Sequence, residues 1–223
     1  MESVRPLRER LIDVGADLVL AEGAASVGLR EIARRAGVSH GAPRRYFPTH
    51  HALLSAIAHR GFTDLAARFA AAAASASAPR ERLRALCHAY LRYALECRGM
   101  FELMFRHDLL DSTDEPAGPP RLRETTVPLF TLIADLVAAC GPPTSTPPHV
   151  TAAALWANIH GIAQLWTWGS LQLVLGTVRD ADPRDQPAAV LDATVDQRAA
   201  VLDEPLDRLV AAALDAHLGP VTA

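Results

Sequence analysis

Apolar residues recur at three- and four-residue intervals along nearly the whole chain, and the alternation of β-branched with polar residues that marks a half-buried strand is absent. That periodicity restricts the fold to an all-α class. Leu7, Leu11, Val14 and Leu18 form one stripe with Arg8, Glu9, Asp13 and Asp17 opposite, which predicts a first helix over about 6–22, stopped at Gly23. A short second helix is predicted over 29–36, with Ile32, Ala33 and Ala36 inward and Gly37 supplying the chain reversal. Ser39 can cap a third short helix reaching about Phe47; Pro43 falls in its first turn or just past it, where proline costs least, and Pro48 ends it. A fourth carries Leu54, Ile57, Ala58, Leu65 and Phe69 on one face and runs into the Ala/Ser-rich stretch 70–78.

After Pro79, the stripe Leu83, Leu86, Cys87, Tyr90, Leu91, Ala94 and Leu95 predicts a fifth helix, and 99–107 a short sixth. Pro-rich breaks at 114–120, 141–148 and 181–187 then separate a seventh helix (about 120–139), an eighth (about 148–178) and a last one carrying Leu206, Leu209, Val210, Ala213 and Leu214, closed by Gly219 and Pro220. The expected division is residues 1–70 and residues 79–223, joined by the Ala/Ser-rich connection.

Composition narrows the chemistry. All 22 basic residues are Arg, so a Schiff-base lysine, a lysine base and a P-loop lysine are excluded. Cys87, Cys97 and Cys140 are an odd set without C-x-x-C spacing, so neither a disulfide framework nor a zinc site is indicated, and no metal or cofactor is expected. The opening Met-Glu-Ser-Val-Arg-Pro leads into a charged amphipathic stretch without an apolar export signal, and a cytoplasmic protein is expected. Residues 150–178 contain no charged side chain and exceed the roughly 20 residues that span a bilayer. They also hold Asn158, His160 and Gln164 and lack a basic flank, so a buried central helix is expected rather than a membrane span.

Charge is unevenly placed. Residues 1–60 hold nine Arg against six acids, and the remainder thirteen against nineteen. Between Ala25 and Arg60, six Arg (30, 34, 35, 44, 45 and 60) face only Glu31. A small basic head therefore sits on an acidic body, an arrangement that favours a polyanion at the head. Two short helices around a Gly turn, beside that patch, are the ingredients of a helix-turn-helix. Ala33 permits the helix crossing, and Val38 drops between the helices. Ser39, His40, Gly41, Arg44, Arg45 and Tyr46 are then left on a segment that can enter a major groove, where Arg bonds bidentately to guanine. A solvated Arg-rich helical surface is the alternative.

The run Leu29-Arg-Glu-Ile-Ala-Arg-Arg-Ala-Gly-Val-Ser-His-Gly-Ala-Pro-Arg-Arg-Tyr-Phe-Pro-Thr-His-His-Ala-Leu-Leu54 resembles the DNA-binding signature of TetR/AcrR-type transcriptional regulators, roughly I-A-x-x-A-G-V-S-x-G-x-x-Y-x-H-F-x-s-K-x-x-L. Leu155-Trp-Ala-Asn-Ile-His-Gly161 further resembles the Trp-x-x-x-His-Gly pattern of the C-terminal WHG domain in one subgroup. In this chain Arg44 stands where the signature has Tyr, Tyr46 where it has His, and His50 where it has Lys. Carried over by position, the resemblance implies that Arg30 reads a base or phosphate and that Ser39, Tyr46 and His50 hold the backbone, while His40, Gly41, Arg44 and Arg45 face the groove. His50 would hold a phosphate well only when protonated.

The resemblance further implies a three-helix DNA-binding domain followed by a larger helical bundle for effector binding and dimerisation. The expected function is that of a homodimeric repressor, released from a near-palindromic double-stranded DNA operator by a small apolar effector. An activator, a ligand-independent regulator and a helical adaptor are the alternatives. Trp156, His160 and Gln164 share one helix face as either pocket wall or packing, and Tyr90, Phe101, Met104, Phe105 and Phe130 are candidate lining on the same terms. No H-E-x-x-H, C-x-x-C, Gly-rich phosphate loop or G-x-S-x-G elbow is present, so no catalytic residue is expected and the chain is not read as an enzyme.

Overall fold

The computed structural model describes residues 6–24, 27–106, 108–110, 122–141, 145–176 and 195–220, with side chains in the last segment from residue 204. Every regular element among them is helical: α1 (Leu7–Glu22), α2 (Leu29–Arg35), a 3-10 turn (Pro43–Arg45), α3 (His50–Ala74), α4 (Pro79–Glu96), α5 (Arg98–Met104), α6 (Leu122–Cys140), α7 (Pro148–Thr167), α8 (Ser170–Val174) and α9 (Val195–Leu218). The all-α expectation holds. No helix among the described residues is long and apolar enough to cross a membrane.

By compactness the chain forms two units, Met1–Ala70 with Glu96–Phe130, and Ala71–Leu95 with Thr131–Ala223. This division departs from a linear one, because residues 96–130 pack with the N-terminal segment. In the first unit the inward faces of α1, α2 and α3 meet in a core of Leu11, Leu18, Ile32, Phe47, Leu53, Leu54 and Ile57. Gly15 and Gly99 set two of its close approaches. A methyl group on Gly15 would collide with Ile57, and one on Gly99 would collide with the carbonyl of Val19, so α1 lies directly against α3 on one side and α5 on another. Phe105 packs edge-on against Phe62 and Phe101, with centroids 5.8 and 5.1 Å away. His59 Nε2 and Thr125 Oγ1, 3.0 Å apart, join α3 to the start of α6.

In the second unit α4 meets α9 through a charged seam at its edge. Arg80 pairs with Asp215 at 2.5 Å, and Arg84 and His88 both reach Asp207, at 3.2 and 2.8 Å. The three basic residues are four apart on α4, and the two acids eight apart on α9, so each set occupies one helix face. Leu83, Leu86, Leu91, Tyr93, Leu155, Ile159 and Val210 fill the interior.

Two expected helices differ from what forms. The segment expected as a third helix, 39–47, contains only the 3-10 turn. The expected eighth helix ends at Thr167, because Gly169 takes the left-handed conformation (φ 79°); a short α8 then restarts, and the end of the expected range lies outside the described residues. His107, expected to close the sixth helix, also lies outside them; α5 itself ends at Met104.

Candidate nucleic-acid interface

The helix-turn-helix geometry follows from four residues. Ala33 is fully buried at the crossing, and its carbonyl accepts the Val38 amide at 3.0 Å. Gly37 makes the reversal at φ 67°, a conformation that strains residues with a Cβ. Arg10 of α1 donates from Nη2 to the carbonyl of Ala36 at 2.9 Å, holding the end of α2 against α1. Arg8 lies 5.5 Å over the ring of Phe47, a cation–π contact that anchors the far end of the turn.

Between these anchors the backbone closes on three-residue intervals. The amide of Ala42 donates to Ser39 (2.9 Å), that of Arg45 to Ala42 (3.2 Å) and that of Tyr46 to Pro43 (3.0 Å). Pro43 and Phe47 are buried, while Ser39, His40, Gly41, Arg44, Arg45 and Tyr46 are exposed. Six of the sequence-predicted contact residues thus lie side by side on one outward segment. Arg30 is exposed on α2.

Ion pairing divides the six arginines of the head. Arg34 donates to both oxygens of Glu31, at 2.8 and 2.6 Å, and Arg35 to Glu31 at 2.7 Å and Glu22 at 2.5 Å. These bonds, first from Arg34 and then from Arg35, hold the Glu31 carboxyl down at about 2. Arg60 lies 3.9 Å from Asp13. Arg30, Arg44 and Arg45 carry no side-chain hydrogen bond or ion pair among the described residues. Whole-segment charge counting missed this distinction, although Glu31 at i−3 and i−4 from Arg34 and Arg35 is a readable signal.

His50 stands apart from the other predicted contacts, with Nε2 lying 2.5 Å from the Val27 carbonyl. A ring nitrogen facing a carbonyl must donate, so that proton is committed within the head, and a phosphate could be met only from Nδ1 in the charged ring. Sequence reasoning also passed over Thr49, whose Oγ1 accepts the Ala52 amide at 3.0 Å and caps α3 beside the exposed His51. The Thr just after Pro48 was the available sign.

The expected effector residues fall into both units. Phe101 and Met104 are buried in the first, where a methyl on Gly61 would lie 2.8 Å from the Met104 sulfur; Phe105 and Phe130 are half-buried there. In the second unit, Trp156 Nε1 donates to Tyr90 Oη at 3.3 Å, and Tyr90 Oη lies 2.7 Å from His160 Nδ1. Burial pushes the Tyr90 phenol up and the His160 imidazole down, so both are neutral at pH 7. Gln164, one turn on, is half-buried. A groove of about 440 Å³ is lined by Ala157, Asn158, Gly161 and Leu165 of α7 and Leu209 and Ala212 of α9, among others, but not by Tyr90, Trp156, His160 or Gln164.

Comparison with known proteins agrees with this architecture. Residues 11–57 match the family described as bacterial regulatory proteins, tetR family, and residues 83–184 match the tetracyclin repressor-like C-terminal domain, a span that includes the Trp156–Gly161 motif. A protein of unknown function from Rhodococcus sp. RHA1 is 26% identical over 98% of this chain and 97% of its own, with TM-score 0.68. A bacterial regulatory protein of the tetR family from Rhodococcus RHA1 shares the fold at 19% identity and TM-score 0.60, covering 97% of this chain and 98% of its own. The transcriptional regulator FadR from Bacillus subtilis, in complex with stearoyl-CoA, does so at 12% identity and TM-score 0.59, covering 96% and 99%. No curated protein matches the sequence significantly. The chain belongs to the TetR family and is a DNA-binding transcription regulator.

Proposed function

We infer that the protein is a cytoplasmic, homodimeric repressor whose heads occupy successive major-groove half-sites of a near-palindromic operator, released when a small apolar ligand binds the region after residue 79. The observation that carries the reading is the set of unpaired guanidiniums at Arg30, Arg44 and Arg45, beside two arginines neutralised by their own acids. Guanidiniums without a partner among the described residues, on an exposed turn, suit guanine edges and phosphates, and Ser39, His40, Gly41, Tyr46 and His50 complete the surface.

The groove between α7 and α9 supports a second copy as partner. Ala157, Gly161 and Ala212 let a partner helix approach closely, and Leu165, Trp168, Leu173 and Val174 present exposed apolar surface on α7, α8 and the bend between them. The charge-free stretch 150–178, which carries Trp156 and His160 and meets the buried Tyr90, favours a lipophilic effector with one polar group, and the FadR relative was solved in complex with stearoyl-CoA. Release follows linkage: a tenfold loss of DNA affinity requires a ligand to prefer the unbound geometry by about 1.4 kcal/mol.

The test is binding to labelled DNA from upstream of the protein's own gene, with excess competitor and across several salt concentrations. Competitor-resistant binding is expected. Binding there and at other promoters that collapses with salt, with no preferred sequence, would overturn the reading.

A further inference from the structure

The segment that faces DNA is not an α-helix, and one residue accounts for that. Pro43 has no amide hydrogen for the Ser39 carbonyl, and its ring crowds that oxygen. The Ser39 carbonyl accepts Ala42 instead, the Ala42 carbonyl accepts Arg45, and no four-residue bond forms until the Phe47 amide reaches the Pro43 carbonyl at 2.9 Å. Pro48 follows at once, so the α-helical register is not resumed.

The register decides which side chains share a face. In a 3-10 turn residues three apart eclipse one another. The Ala42-to-Ser39 and Arg45-to-Ala42 bonds therefore set Ser39, Ala42 and Arg45 at successive three-residue intervals, while Pro43 is buried and Arg44 is exposed. An α-helix of this sequence would set Arg44 over His40 and Arg45 over Gly41, rotating Arg45 well away from Ser39.

We propose that Pro43 is a specificity-determining positioning residue: it holds the reading segment in three-residue turns, so that Arg45 acts with Ser39 on one base position and Arg44 acts on another. This rests on the regulator reading above. Pro43 touches no base itself, and its effect is on which position each guanidinium reaches.

Selection of bound sequences from a pool of random DNA duplexes tests this, using the native protein and its Pro43→Leu, Arg44→Ala, Arg45→Ala, Ser39→Ala and His40→Ala variants. Arg45→Ala and Ser39→Ala are expected to relax the same base-pair position, and His40→Ala a different one from Arg44. Pro43→Leu is expected to change the preferred base at one or more positions while binding to bulk DNA stays within about threefold, because the phosphate contacts remain. An unchanged consensus for Pro43→Leu, or Arg45 and Ser39 reading different positions, would overturn the proposal. Should Pro43→Leu fail to fold, the Arg45 and Ser39 pair decides alone. A native protein that selects no consensus would sink the regulator reading, and the proposal with it.

Discussion

The two units carry their polar chemistry in opposite ways. In the first, Arg44 and Arg45 are exposed on a turn with no partner among the described residues, whereas Arg34 and Arg35 are bonded to Glu31. In the second, the polar groups of Tyr90, Trp156 and His160 are turned on one another across 66 to 70 residues of sequence. A surface built for a charged partner leaves donors open. A region built around an apolar ligand or an apolar core closes them among themselves, since a buried polar group without a bond is costly.

Breaking either arrangement should therefore produce different losses. The largest is expected from Phe47→Ala, which empties a site 1% exposed and withdraws the ring beneath Arg8. It should cost about 3–5 kcal/mol in denaturant unfolding and abolish DNA binding by loosening the turn. Tyr90→Phe removes the oxygen shared by Trp156 and His160 and should cost about 1–3 kcal/mol of stability, with the selected DNA sequence unchanged. A changed sequence preference would mean that the two chemistries are not separable.

Within the head the contrast sharpens. Arg44→Ala should weaken operator binding by about 1–3 kcal/mol and relax one base position. Arg34→Ala, which removes a guanidinium already bonded to Glu31, should weaken it by less than roughly threefold. Equal losses in a filter-binding titration would show that pairing does not distinguish the two. The smallest effect is on acid stability. Burial lowers the pKa of His160, so the unfolded chain takes up that proton first as pH falls through the ordinary imidazole value of 6.5. Stability from this group is complete above that pH and is lost below it. His160→Gln should flatten the decline in thermal melts between pH 7.5 and 5, and His59→Gln in the first unit should do the same, because burial and then Arg8 lower His59. A slope unchanged by either would place the acid sensitivity elsewhere.

The same contrast explains how far the sequence could be read. The first two helices, the Gly37 reversal and the inward Ile32, Ala33 and Ala36 depend on neighbours within a few residues, and the expected elements formed. The expected third helix does not form at Pro43, because a first-turn proline is harmless only if the helix continues beyond it, and Pro48 leaves no length for that. The uncharged stretch over 148–178 is helical as far as Thr167, yet absence of charge carries no information about a left-handed glycine at 169. His50 was assigned from its place in a signature, whereas its partner is the backbone of Val27, twenty-three residues away. In the second unit, a Trp, a His and a Tyr are compatible with many packings, and only the tertiary meeting of α4 and α7 joins them.

The free guanidiniums have a consequence for how this surface can be handled. Acetylation, the usual way to strip charge from a basic face, acts on amines, and no lysine side chain exists anywhere in the chain. Guanidinium also keeps its proton across the accessible pH range. The charge offered by Arg30, Arg44 and Arg45 is therefore a fixed quantity, and amine-directed dyes or coupling surfaces would leave those three positions bare.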